Sequence, residues 1–313
     1  MQGESLPSFQ DAALDPSQGF RAGYVAVVGR PNVGKSTLIN RLVGQKISIV
    51  SEKPQTTRIR LLGILTTETA QIIFIDTPGI HKPHHRLGEA MVRAAVGSLQ
   101  DADLVAFLVD ASVPPTGEDE MAAAALKQHA PALPRLLVLN KIDLISDEEA
   151  HQAEAQYAAL DGFSEAIRVS ATRGDNLDRL LDMLTSRLPF SPPFYPPDQV
   201  TDQLERAIAA ELVREQVLAH TRQEIPHAVA VVVDEYKERS EEMTYISATI
   251  YVERESQKGI LIGAGGRMLK AIGQAARQEL EAMAGTRVYL DLKVKVRQNW
   301  RKKDPKLGLQ MQV

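Results

Sequence analysis

One stretch, GRPNVGKSTLIN from Gly29 to Asn40, constrains this chain more than any other. Gly29, Arg30, Pro31, Asn32, Val33, Gly34, Lys35 and Ser36 fit G-x-x-x-x-G-K-S. They lie between the apolar run YVAVVG and the helix-forming GKSTLINRLVG, the strand–turn–helix setting in which this spacing has a mechanism. The glycines let backbone N–H groups turn inward around phosphate oxygens at a helix N-terminus. Lys35 can reach the β and γ phosphates, the Ser36 hydroxyl can ligate Mg²⁺, and Thr37 opens the helix beside them. The alternative is a tight glycine turn with no ligand.

The surrounding chain alternates as α/β folds do. QIIFIDTPG, LVAFLVDAS, RLLVLNKID and AIRVSAT are apolar runs closed by polar or small residues, as buried parallel strands are. SDEEAHQAEAQYAAL and NLDRLLDMLTSRL have helical spacing between and after them. At Pro189 to Asp198 comes PFSPPFYPPD, with five prolines in ten residues, which reads as a semi-rigid linker. Beyond it a helix, two alternating strands, a glycine-broken helix pair and a third strand predict an α+β unit with helices on one face of a small sheet. The divisions expected are a flexible tail at 1–22, a first domain at 23–189, a linker at 190–203, a second domain at 204–300 and a basic tail at 301–313.

Bulk properties remove several chemistries. The 313 residues include no cysteine, which excludes disulfides, thiolate metal sites and cysteine nucleophiles and fits a reducing cytoplasm. No apolar run reaches membrane-spanning length, and the N-terminus lacks a signal-peptide pattern. The net charge of −4 is divided unevenly: from Arg254 onward 13 Lys/Arg face 5 Asp/Glu, leaving −12 on the rest. That asymmetry suggests a polyanionic partner for the C-terminal quarter, or chance scatter of surface charge.

Three further segments select the nucleotide. Asp76, Thr77, Pro78 and Gly79 follow a strand; Asp76 is placed to hold Mg²⁺ through water and the Gly79 N–H to sense the γ phosphate. Asn140, Lys141, Ile142 and Asp143 follow another. The Asp143 carboxylate can accept from N1–H and the exocyclic amine of guanine, donors that adenine lacks on that edge. Asn140 supports the base and the loop, the Lys141 stem covers the ring, and Ser170-Ala171 supplies a backbone N–H for guanine O6. NKID alone could be a surface turn; in this order, each at a strand's C-terminal end, the segments converge on the edge where α/β sheets bind ligands. Position 80, directly after the DTPG glycine, is Ile80, which cannot orient a water. His81, His84 and His85 have no regular fourth ligand and read as loop surface rather than zinc site; Asp101, Asp103 and Asp110 read as caps and turns.

In the second unit Gly263, Ala264, Gly265 and Gly266 join two short helices. A G-x-x-G loop of this kind clamps single-stranded RNA backbone, with Ile262 and Ile272 lining the base groove; the bland alternative is a helix–helix turn. Lys258, Arg267 and Lys270 flank it, and Lys295 and Arg297 form a cationic strand end. Trp300 is available for base stacking or is a core residue.

Residues 24–190 resemble the translation-factor class of P-loop GTPases, and the second unit resembles the bacterial type (type II) of KH fold, with Ala264-Gly265 where a lysine is common. The combination, including GQKISIVSEKPQTTR, VTDQ after the linker and VERESQKGILIG, resembles the Era family of bacterial GTPases from about Tyr24 to Trp300. By that resemblance QTTR, Gln55 to Arg58, is a switch segment in which Thr57 ligates Mg²⁺ when the γ phosphate is present. The resemblance also makes Asn32 a side-chain ligand of K⁺, completed by backbone carbonyls near Ser51, Lys53 and Thr56; otherwise Asn32 caps the loop. Catalysis would then rest on Asn32, Lys35, Thr57 and Gly79. The resemblance further implies a GTP-hydrolysing switch bound to the 3′ end of 16S rRNA in 30S subunit maturation, monomeric, without DNA, and with peripheral membrane contact. The alternatives are a tRNA-modification or other assembly GTPase with a different RNA target, and a scaffold with a vestigial nucleotide site.

Overall fold

The computed structural model describes residues 19–309, apart from 54, 84, 162 and 164. Strands and helices alternate through its first half as β1 (Arg21–Val28), α1 (Lys35–Val43), β2 (Leu61–Thr66), β3 (Ala70–Asp76), α2 (Arg86–Gly97) and β4 (Leu104–Asp110). They continue as α3 (Gly117–His129), β5 (Arg135–Asn140), α4 (Asp147–Asp161), β6 (Ala166–Arg168) and α5 (Leu177–Thr185). The sheet order is β2-β3-β1-β4-β5-β6, parallel except for β2. Val25, Val27, Ile72, Phe74, Leu104 and Ala106 feed the core on one face, and Ala26, Ile73, Ile75, Val105 and Phe107 the core on the other. Burial on both faces is why these strands read as unbroken apolar runs. β1 pairs with β3 on one side and β4 on the other, so the loops after β1 and β3 open at a topological switch point.

The second half contains α6 (Glu205–His220), α7 (Ile225–Ala228), β7 (Ala230–Ser240), β8 (Met243–Val252), α8 (Glu255–Ile262), α9 (Arg267–Ala284) and β9 (Arg287–Val296). Its sheet runs β7-β8-β9, antiparallel then parallel. Ile246, Ala248 and Ile250 of β8 meet Val213 and Val217 of α6 and Ile272 and Ala276 of α9 in one core. This is the expected order of helix, two strands, helix pair and strand.

Several expectations need correction. Residues 1–18 of the expected N-terminal tail and 310–313 of the C-terminal tail lie outside the described residues. Residues 300–309 are no free tail: α10 (Trp300–Lys303) and α11 (Pro305–Gly308) pack on α2, because Trp300, Leu307 and Leu309 supply an apolar face to Leu87 and Met91. The sequence reading omits β2, a short edge strand with Gly63 inside it. The proline-rich segment is pinned rather than spanning free. Tyr24 stacks on Phe194 at 5.5 Å, and the Gln71 amide accepts from the N–H of Phe194 (2.7 Å) and Tyr195 (2.9 Å). Further on, the Ile64 N–H donates to Val200 O and the Leu62 N–H to Asp202 Oδ1, extending the β2 edge.

Candidate nucleotide site and nucleic-acid groove

Gly34 caps α1 at φ 101°, and a Cβ there would meet Asn140 Nδ2 at 2.4 Å, so the phosphate loop and the base loop touch only because this residue is glycine. Asn140 is buried and ties three loops together: its Nδ2 donates to Val33 O (2.8 Å) and its Oδ1 accepts from the Ala171 N–H (2.9 Å). The Ala171 donor expected for guanine O6 is therefore engaged by Asn140, because the two loops approach within hydrogen-bonding distance. Ser170 likewise donates its N–H to Asp175 O, which shapes the loop. Lys141, left-handed at φ 67°, places Nζ 2.6 Å from Asp110 Oδ2. Burial works against ionisation of Asp110, but hydrogen bonds from Lys141 and Ser112 outweigh it and hold the carboxyl below its usual value. Asp110 is thus a functional support rather than a mere turn residue, and its position at the end of β4 beside the base loop is the signal that could have marked it. Asp143 Oδ1 is buried with no partner. A buried orphan carboxylate oxygen is costly unless a ligand donates to it, and guanine offers that donor.

The three expected metal-site residues converge. Ser36 Oγ lies 2.9 Å from Thr57 Oγ1 and donates to Asp76 Oδ2 at 2.8 Å. Ser48 Oγ, which the sequence reading missed, also donates to Asp76 Oδ2 (2.7 Å), while Asp76 Oδ1 is buried without a partner. Burial raises the Asp76 pKa, opposed by Ser48, Ser36 and Lys35. Hydroxyl and carboxylate oxygens around one unsatisfied oxygen suit a hard divalent cation such as Mg²⁺. Lys35 is buried, donating from Nζ to Gly29 O (3.1 Å) and Arg30 O (2.8 Å); burial lowers its pKa to about 8.

The side chains of three other expected site residues, Thr77, Arg30 and Val33, serve as scaffold. The Thr77 hydroxyl is buried and donates to Val27 O (2.8 Å), joining β3 to β1 instead of facing the cleft. Arg30 turns to Asp119 (3.1 Å), and the Val33 side chain is in the core. Pro31, Asn32, Gly34, Lys35, Ser36, Thr37, Thr57 and Gly79 line the cleft; Pro78 is buried beside it. Asn32, at φ 64°, donates from Nδ2 to Glu52 O at 2.8 Å, so it bonds the stretch that leads into the switch segment. His81 is buried, with Nδ1 2.8 Å from Gly79 O and Nε2 3.1 Å from Gln55 Nε2, joining the DTPG loop to the switch segment.

The switch segment and the stretch leading into it are also gripped from the second half. Glu215 of α6 accepts from the Val50 N–H (2.9 Å) and from Lys46 Nζ (2.6 Å). Lys46 also reaches Glu279 of α9 at 3.1 Å. Arg214 donates to Thr56 O, and Arg58 Nη1 to Val229 O at 2.7 Å.

A groove of about 460 Å³ runs between α9 and β9, lined by Gly266, Leu269, Lys270, Gly273, Gln274, Arg277 and Leu290 among others. At one end is the G-x-x-G loop, with Ala264 and Gly265 exposed, Gly263 and Gly266 half-buried, and the Arg267 Nε bonded to Ala264 O. Lys270 and Arg267 are exposed; Lys258 lies near Glu255 at 3.9 Å, and Ile262 is half-buried. Two expectations fail here, at Trp300 and Ile272, and two residues, Lys295 and Arg297, lie outside this groove. Trp300 is 0% exposed, with Nε1 donating to Ala228 O, and cannot stack on a base. Ile272 is fully buried in the core, because it faces β8 rather than the groove. Lys295 is on the alternate face of β9 from Leu290 and Leu292, and Arg297 pairs with Asp304 at 2.7 Å.

Comparison with known proteins agrees with this geometry. A family model described as 50S ribosome-binding GTPase matches residues 24–141, and a KH domain model matches residues 224–301. GTPase Era from Heliobacterium modesticaldum is 49% identical over 283 residues, covering 90% of this chain and 94% of that protein. A crystal structure of Era in complex with MgGDPNP and nucleotides 1506–1542 of 16S ribosomal RNA superposes with a TM-score of 0.87 at 41% identity. That of a point variant of Aquifex aeolicus Era bound to GDP·AlF₄⁻ gives the same values; both matches cover 93% of this chain and 98% of the other. With a nucleotide site and a KH groove joined in one chain at this level of identity, the chain belongs to the Era family of GTPases.

Proposed function

We propose that this protein is a GTP-gated RNA-binding factor that hydrolyses GTP to GDP and phosphate and binds the 3′ end of 16S rRNA during maturation of the 30S subunit. One observation carries the gating. Thr57 touches Ser36, while the residues on either side of it, Thr56 and Arg58, are bonded to the second half of the chain. A loop ordered by γ phosphate and Mg²⁺ would thereby be felt at the RNA groove. In this reading Lys35 and the Gly29–Ser36 backbone hold phosphates, Gly79 senses the γ phosphate, and Asp143 selects guanine. Mg²⁺, held by Ser36 and Thr57 and through water by Asp76, supplies neutralisation of the charge that develops on the phosphates. Arg267, Lys270 and the α9 N-terminus meet RNA phosphates, with the Gly263–Gly266 loop allowing close approach. The protein works in the cytoplasm as a monomer, with peripheral membrane contact as an accessory.

Crosslinking to cellular RNA tests the gating. Recovery of the 3′ end of small-subunit rRNA with a GTP analogue and not with GDP is expected; equal recovery removes it. Asn32 would help hold K⁺, which would supply further neutralisation of phosphate charge, a need that Ile80 leaves open because it is apolar and buried and cannot orient water. Asn32→Ala is expected to bind GTP yet lose KCl stimulation of kcat, and an unchanged KCl-to-NaCl ratio in the variant discards the potassium assignment.

A further inference from the structure

Arg58 follows the switch threonine in sequence but does not face the nucleotide. Its side chain is 2% exposed and runs into the second half of the chain, where Nη1 donates to Val229 O at 2.7 Å and the guanidinium lies 5.8 Å from the centre of the Trp300 ring. Its Nε is buried without a partner. A guanidinium stays protonated in proteins, so this buried group is a cation. A buried cation with so few partners is kept at a cost that ordinary packing does not require, since an apolar side chain would fill the space better.

The surroundings of Arg58 show what the cation reaches. Trp300 is fully buried, bonded through Nε1 to Ala228 O, and clustered with Leu87 and Met91 of α2. α2 is the helix that follows the DTPG loop, so both γ-phosphate-facing segments end at this one cluster. Gly308 of α11 closes it: a Cβ there would lie 2.4 Å from the indole and 3.3 Å from Leu87. Thr57 is thus held from both flanks, by Arg214 on Thr56 O and by Arg58 on Val229 O.

We propose that Arg58 is a positioning residue for hydrolysis: inserted between Val229 and Trp300, it lets the docked C-terminal helices α10 and α11 hold Thr57 against Ser36. GTP cleavage by the first domain then requires the second to be docked, and closure of the switch around the γ phosphate favours docking by the same factor by which docking favours closure. This rests on the GTP-switch reading above. It goes further by giving the C-terminal segment and one buried arginine a part in the reaction.

The test uses the full chain as wild type, Arg58→Ala, Arg58→Lys and Gly308→Val. It measures kcat for GTP, affinity for a fluorescent GDP, and the emission of Trp300, the single tryptophan in the sequence. GDP has no γ phosphate and does not need Thr57 closed. Arg58→Ala and Gly308→Val are therefore expected to keep GDP affinity within about twofold, to lose about tenfold in kcat, and to shift Trp300 emission to the red. Arg58→Lys, still able to donate to Val229 O, is expected to recover part of the loss. Wild-type kcat in Gly308→Val despite a red-shifted Trp300 overturns the inference. A wild-type protein that turns over no GTP overturns the nucleotide reading instead. If Arg58→Ala fails to bind GDP, Gly308→Val, remote from the switch, decides.

Discussion

Asp143 Oδ1 is buried with no partner among the described residues, and in the proposed reading it selects the base. Replacing the carboxylate by an amide removes an acceptor and puts a donor in front of guanine N1–H. Asp143→Asn is expected to weaken GTP binding by about two orders of magnitude or more, since two charge-assisted hydrogen bonds are at stake. Xanthosine triphosphate, with an oxygen where guanine has its amine, should bind the variant better than GTP does. Equilibrium titration with both nucleotides checks this, and an unchanged order of affinity would refute the base contact. The same residue scale shows what sequence leaves hidden. Motif spacing marks Ser36, Asp76 and Asn140, whose side chains meet the predicted neighbours. It does not show that Thr77 and Arg30, inside the motifs, turn to Val27 and Asp119, nor that Ser48, outside them, turns in to Asp76. Side-chain direction is set by packing across the sheet, and no local spacing encodes it.

At the scale of elements, α2 begins at an N-cap that titrates. His85 Nδ1 accepts from the Gly88 N–H, which requires a neutral ring. Burial, then the charges of Arg301 and Arg58, push the His85 pKa below its usual value. Burial and the charges of Arg58, Arg301 and Lys53 do the same to His227 in α7, across the same junction. A base with a depressed pKa binds protons more readily when released, so its contribution is complete above about pH 6.5 and is lost as pH falls through the lower folded value. The junction around α2, α7 and α10 is therefore expected to loosen between pH 7 and pH 5, read as a red shift of Trp300 emission. His85→Asn, which caps without titrating, should flatten part of that response. On the other side of the second domain, Lys270→Ala should weaken RNA binding across sequences and reduce the slope of log K against log salt by about 1, the signature of one lost phosphate contact. Helix and strand order was legible because periodicity survives in single elements. The fate of Trp300 was not, because a lone tryptophan beside a cationic run reads equally as a stacking platform or a core anchor. Only the apolar partners on α2, some 210 residues earlier in sequence, decide between them.

For the molecule as a whole, the path between the two sheets matters more than its composition suggests. Five prolines predict stiffness, yet the segment is also clamped. Gln71 is fully buried and its amide uses all four positions: it accepts from Phe194 and Tyr195 N–H and donates to Tyr195 O (2.8 Å) and Thr66 Oγ1 (3.0 Å). Past it, Val200 and Asp202 bond to β2, the strand that directly follows the switch segment. The chain therefore leaves the first domain beside the switch, and the second domain is aimed from there by α6. Gln71→Ala removes the clamp and leaves several backbone groups to water, at a cost of about 1–3 kcal/mol. Neither the nucleotide cleft nor the RNA groove is touched, so GDP affinity and RNA affinity in the GDP state are expected to stay near wild type. What should fall is the ratio of RNA affinities with GTP analogue and with GDP, because a loosened exit lets the second domain disengage from a closed switch. Binding titrations in both nucleotide states measure that ratio. An unchanged ratio in a Gln71→Ala protein with a lowered Tm would show that α6 and the C-terminal helices align the domains without the linker.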